Sequence, residues 1–187
     1  MNLNYMSNRR TELKEQLSAL PKNELVGIIV KLAAKKANYD FLLANYLDKD
    51  SGEKDLYEEA RRDLDSLFIK RYKGFSEELQ LANMLSACVK RINEFTAVSK
   101  NKKLEADLLL YVLEVPFSLP TIMFGTCFSQ YDYRVGLLVR RLINLVVKKL
   151  HPDYLIEYKD ILNGYLTILH RTSEFHDFIY KLPQKID

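Results

Sequence analysis

Residues 133–150 read YRVGLLVRRLINLVVKKL. Apolar residues recur here at three- and four-residue steps, from Val135 and Leu138 to Leu142, Leu145 and Val146. That step places side chains on one side of an α-helix, whereas a strand would alternate. Valines and leucines cover most of the circumference and leave a narrow strip of Arg134, Arg140, Arg141 and Lys148. A helix so apolar belongs at the centre of its fold. The same period runs outward in both directions, from about Leu13 to Ile179, and no stretch alternates. The expected class is therefore all-α.

Working outward, the breaks divide the chain into nine or ten helices. Leu13, Leu17 and Leu20 share one face of a first helix that Pro21 ends. Asn23 is a suitable N-cap for the next helix, which turns Leu25, Ile28, Ile29 and Leu32 inward. A short helix over 39–47 precedes Asp48-Lys49-Asp50-Ser51-Gly52, which has the composition of a turn. The segment 53–73 is amphipathic through Leu56, Ala60 and Leu64, with Gly74 as its C-cap. Ser76 caps a helix reaching about Val98, and Ser99 to Lys103 forms a basic loop. A helix follows over 104–114. Pro116 and Pro120 break the chain, and Ser118 or Thr121 caps a short helix that carries Ile122, Met123 and Phe124. Pro152 opens a helix to about Leu162, Asn163-Gly164 turns, and a last helix runs over 165–181. Short links favour antiparallel neighbours. The expected architecture is a single domain over 1–187, with helical hairpins packed as a solenoid-like or irregular bundle. No repeat of fixed period is present.

Composition narrows the function classes. The chain has 187 residues, 48% hydrophobic and 28% charged, with net charge +3. That charge is too mild to argue for nucleic acid by itself. Cys88 and Cys127 make neither a metal-type pair nor a disulfide framework. The first residues carry no apolar signal region, and charge breaks every apolar run before the roughly 20 residues that a membrane span needs. A cytoplasmic protein without membrane contact is expected.

Two blocks resemble an uncharacterised family of small helical, mostly bacterial proteins known as a domain of unknown function. One is Leu17 to Leu32, with its Leu-Pro-Lys-x-x-Leu restart. The other is Ala106-Asp107-Leu108-Leu109-Leu110-Tyr111-Val112, similar to that family's Ala-Asp-Leu-Met-Leu-Tyr helix. The resemblance covers about two-thirds of the chain, and it implies a helical fold and no catalytic residues.

Candidate chemistry is sparse. His170, Glu174 and Asp177 fall at i, i+4 and i+7, a spacing that could present three ligands to a divalent metal. They lie opposite the apolar face, however, so a solvated surface is the plainer reading. His176 reads as a core-edge histidine. Cys88 sits amid an apolar arc and is expected to be inert, while Cys127 follows Gly125 in a more open segment. Neither a phosphate-binding glycine loop nor a serine-nucleophile motif is present. No catalytic residue, metal or cofactor is expected.

The strip on 133–150 carries five basic residues and no acid, and Arg134, Arg141 and Lys148 lie seven apart. With Lys100, Lys102 and Lys103, such a row could follow a phosphate backbone or an acidic peptide. The plainer reading is a soluble strip on a mostly buried helix, paired with acids from its neighbours. Tyr154 and Tyr158 are one turn apart, and Tyr and Arg commonly anchor protein interfaces. The sequence therefore points to a non-catalytic protein-binding or scaffold module using Arg134, Arg140, Arg141, Lys148, Tyr154 and Tyr158. Self-association is a further possibility, and a nucleic-acid-associated protein using the basic strip is the alternative.

Overall fold

The computed structural model describes residues 3–173, 179 and 181–187. Among them are eight α-helices and no strand, which establishes the all-α class. Backbone packing falls into two compact units, Met1–Gly52 and Glu53–Asp187.

The first unit holds α1 (Leu3–Ser18), α2 (Lys22–Ala33) and α3 (Lys36–Leu42), the last running into a π-helical turn, Leu43–Leu47. Helix α2 starts one residue ahead of the expected Asn23 cap. Pro21 is its N-cap, and the Pro21 carbonyl accepts from the Glu24 and Leu25 amides at 3.0 and 3.1 Å. The inward face expected for α2 is not buried: Ile28, Ile29 and Leu32 remain 37, 46 and 58% exposed. Three short helices supply too little second layer to cover it.

Asp48 accounts for the next correction. Its Oδ1 accepts from the Ser51 amide at 3.2 Å and its carbonyl from the Gly52 amide at 3.0 Å. These are N-cap bonds, so the expected turn is instead the first turn of α4 (Lys49–Phe68).

The second unit contains the rest of α4, followed by α5 (Glu77–Val98), α6 (Lys102–Ser118), α7 (Ser129–Lys148) and α8 (Leu155–Thr172). Helix α4 stops at Phe68 rather than near Lys73; the Tyr72 hydroxyl donates at 3.0 Å to the Leu67 carbonyl, the acceptor that a continuing helix would offer to the Arg71 amide. Gln80 Nε2 donates to the Gly74 carbonyl at 3.0 Å and Asn83 Nδ2 to the Lys73 carbonyl at 2.8 Å. Ser76 caps α5 as expected, accepting from the Leu79 amide at 3.2 Å. Asn101 caps α6 through the Lys103 and Leu104 amides, which draws the last two residues of the expected basic loop into a helix.

Helix α6 continues through Pro116, which is buried two residues before the helix ends. The expected short helix after it is a single 3₁₀ turn, Thr121–Met123. Helix α8 runs unbroken through Asn163-Gly164, where two helices were expected. Its buried stripe of Tyr158, Leu162, Leu166 and Leu169 crosses the glycine. Asn163 is held from outside, accepting from the Ile186 amide at 2.8 Å and donating to the Ile186 carbonyl at 3.1 Å. Packing thus outweighs the local turn preference. These changes reduce the expected nine or ten helices to eight.

Contacts fix the helix directions within this unit. Glu53 meets Ser99 while Asp63 meets Arg91, so α4 and α5 are antiparallel. Asn93 bonds Arg141 and Phe75 packs on Phe128, so α5 and α7 are parallel. Asp107 meets Tyr158 and Phe117 stacks on Tyr165, so α6 and α8 are parallel as well. Successive helices alternate in two layers, α4, α6 and α8 against α5 and α7. Helix α7 packs on α5, α6 and α8 and buries Val135, Leu138, Val139, Leu142 and Val146. Its centrality matches its periodicity. Among the described residues no helix is long and apolar enough to cross a membrane.

Candidate functional site

The face of α7 that its neighbours leave open forms the wall of a groove of about 610 Å³. Its floor is apolar: Leu137, Leu138 and Leu145 come from α7, Leu85 and Val89 from α5. Its rim is cationic, with Arg134, Arg140, Arg141, Lys148 and Lys149. Every second turn of α7 delivers a cation to one line, because the residues at 134, 141 and 148 repeat every seven positions.

The line is not uniform. Arg141 is spent on the fold. Its Nη2 and Nε donate to Glu105 Oε1 at 2.8 and 3.1 Å, and its Nη1 donates to Asn93 Oδ1 at 2.7 Å. Glu105 is only 5% exposed and also accepts from Lys102 Nζ at 2.7 Å. Burial pushes the Glu105 carboxyl up, but the bonds from Lys102 and Arg141 more than reverse this and hold it below the ordinary glutamate range. For Arg141, then, the reading of a solubilising cation paired with a neighbour's acid is the one the geometry carries. Arg134, Lys148 and Lys149 differ: all three are exposed, and none of their side chains makes an ion pair or hydrogen bond among the described residues. Free positive charge therefore sits toward the two ends of the groove, with a neutralised arginine between them.

The other candidates lie elsewhere. Tyr158 is 1% exposed, and its hydroxyl donates to Asp107 Oδ1 at 2.6 Å on the α6–α8 side. Lys103 Nζ lies 4.9 Å from the Tyr158 ring and 5.6 Å from that of Tyr154, while bonding Asp107 at 2.9 Å and Glu157 at 2.8 Å. Tyr154 and Tyr158 thus enclose a lysine that is already paired and do not join the groove. Lys102 and Lys103 are both tied to acids and add nothing to a phosphate-tracking row. A smaller polar recess of about 260 Å³ beside Tyr57, Arg61 and Tyr111 is likewise internally bonded, with Arg61 4.2 Å above the Tyr111 ring and the Tyr111 hydroxyl on Asp65.

His170 Nε2 sits 3.1 Å from the Pro183 carbonyl. Its proposed metal partners Glu174 and Asp177 lie outside the described residues, as does His176. Among the described residues no group of His, Cys, Asp and Glu could hold a metal ion. Cys88 is fully buried and its thiol is pushed up to about 12 by burial, whereas Cys127 is exposed.

Sequence reasoning missed the floor of the groove. Leu85 and Val89 read as core positions on α5, and nothing local says that Val89 would be half-covered beside a row of cations. The only signal was Leu137, a large apolar residue set among the arginines of α7. No family model, curated protein or solved structure matches this chain.

Proposed function

We propose that this chain is a non-catalytic protein-binding module whose docking surface is the groove along α7. The carrying observation is the combination of an apolar floor, open to solvent at Leu137 and Val89, with unpaired cations at Arg134, Lys148 and Lys149. Protein interfaces unite an apolar centre with a polar rim in this way. A nucleic-acid surface would instead need continuous free charge along a backbone, and here Arg141, Lys102 and Lys103 are already occupied by carboxylates. The reading includes a cytoplasmic location and membership of the bacterial helical family that the 17–32 and 106–112 blocks resemble.

The test is capture of partners from lysate by the intact chain and by an Arg134→Ala/Lys148→Ala/Lys149→Ala variant, each with and without nuclease. Arg141 is left in place because it supports the fold. A protein that survives nuclease and is lost from the variant is the expected result. Equal capture by the variant, or capture abolished by nuclease, would contradict the proposal.

A further inference from the structure

We infer that the occupant of the groove is an amphipathic helix carrying acidic residues at i and i+14, with a neutral position midway between them. This inference rests on the docking reading above and specifies the partner's chemistry. The first argument is length. Arg134 and Lys148 are 14 residues apart on one helix, about 21 Å at 1.5 Å per residue. A partner helix lying alongside α7 rises by the same amount, so groups 14 apart on it meet both ends of the groove.

The second argument is shape. Helices α5 and α7 run parallel, from the Phe75–Phe128 contact to the Asn93–Arg141 bond. The groove between two parallel helices is a seat for a third, and helix-in-groove docking reads an apolar stripe at three- and four-residue spacing. Leu137 and Val89, both half-buried, supply the facing apolar surface, backed by the buried Leu85, Leu138 and Leu145.

The third argument is charge complementarity. Arg134 at one end and Lys148 with Lys149 at the other have no partner among the described residues, so a carboxylate meets a free cation at each end. Arg141, midway, is neutralised by Glu105. An acid placed opposite it would face a cation already balanced by a buried carboxylate and would gain nothing. The pattern therefore selects acid, neutral, acid, which a uniformly charged polyanion does not match.

The test uses fluorescence anisotropy of the full chain with designed helical peptides of about 21 residues. The first has a leucine stripe with Glu at i and i+14. In the second the same two Glu sit at i+7 and on the opposite face. A third places Lys at i and i+14, and a fourth scrambles the stripe at constant composition. The first peptide should bind best, and removing either end acid should weaken it about five-fold. The scrambled and lysine peptides should bind far more weakly. An Arg134→Glu/Lys148→Glu variant should reverse the ranking of the first and third peptides. Equal binding of the first and second peptides, or no reversal in the variant, overturns the inference. If no peptide binds but the triple alanine variant still loses its captured protein, the helix inference falls and the docking reading stands. If capture is indifferent to that variant, the docking reading itself falls. Tighter binding of a duplex DNA of about 20 base pairs than of the first peptide would overturn both in favour of nucleic acid.

Discussion

Replacing Arg141 by alanine should destabilise the larger unit by about 2 kcal/mol, a value set by what the substitution strands. Glu105 Oε1 loses two donors, at 2.8 and 3.1 Å, while its side chain is only 6% exposed. Breaking a fully buried ion pair from one side costs about 3–5 kcal/mol. Two features lower that figure: Arg141 is itself 28% exposed, and Lys102 still holds Oε2 at 2.7 Å. With a urea slope near 2 kcal/mol/M, the main transition should fall by about 1 M.

The effect should fade in acid. The Glu105 pKa is depressed in the folded chain, so its contribution is fully present above the unfolded glutamate value near 4.3 and is lost as pH falls through the folded value. The gap between wild type and variant should be widest at neutral pH and narrow progressively in acid, below the unfolded glutamate value. Replacing both partners, as Glu105→Leu/Arg141→Leu, should cost less than Arg141→Ala alone, because no charge is left stranded. An unmoved urea midpoint at neutral pH would refute the reasoning and return Arg141 to the set of free rim cations.

Four further outcomes can be checked by spectroscopy. Tyr131 is fully buried and its hydroxyl has no hydrogen-bond partner among the described residues, so Tyr131→Phe should leave thermal stability unchanged or raise it, while Tyr158→Phe should cost about 1 kcal/mol through the lost Asp107 bond. Gly164 lies exposed within α8 with nothing near an added Cβ, so Gly164→Ala should raise the melting temperature, by about 0.5–1 kcal/mol of stability. A turn at that position would give the opposite sign. With a thiol reagent, Cys127 should react at once in the native chain and Cys88 only on unfolding.

Helical class and the centrality of α7 were legible because both depend on local periodicity alone. Two misread boundaries reflect local capping, by Asp48 and by Asn101, whereas the unbroken α8 reflects long-range hydrogen bonding between the Ile186 backbone and Asn163. That last contact leaves no mark on the local sequence. The basic strip was visible as a row, but its division into a structural arginine and free ends was not. That division depends on Glu105, which belongs to another helix 36 residues earlier. Tyr154 and Tyr158 looked like interface anchors because residue type was the only guide. Lys103 and Asp107, which engage them, come from α6.

The most direct test of the central claim is backbone amide chemical-shift mapping of the chain titrated with the i, i+14 acidic peptide. The account predicts perturbations along residues 134–149 of α7 and 85–89 of α5, with those around Tyr154 and Tyr158 unmoved. Perturbations centred on the α6–α8 tyrosine face, or none at saturating peptide, would contradict it.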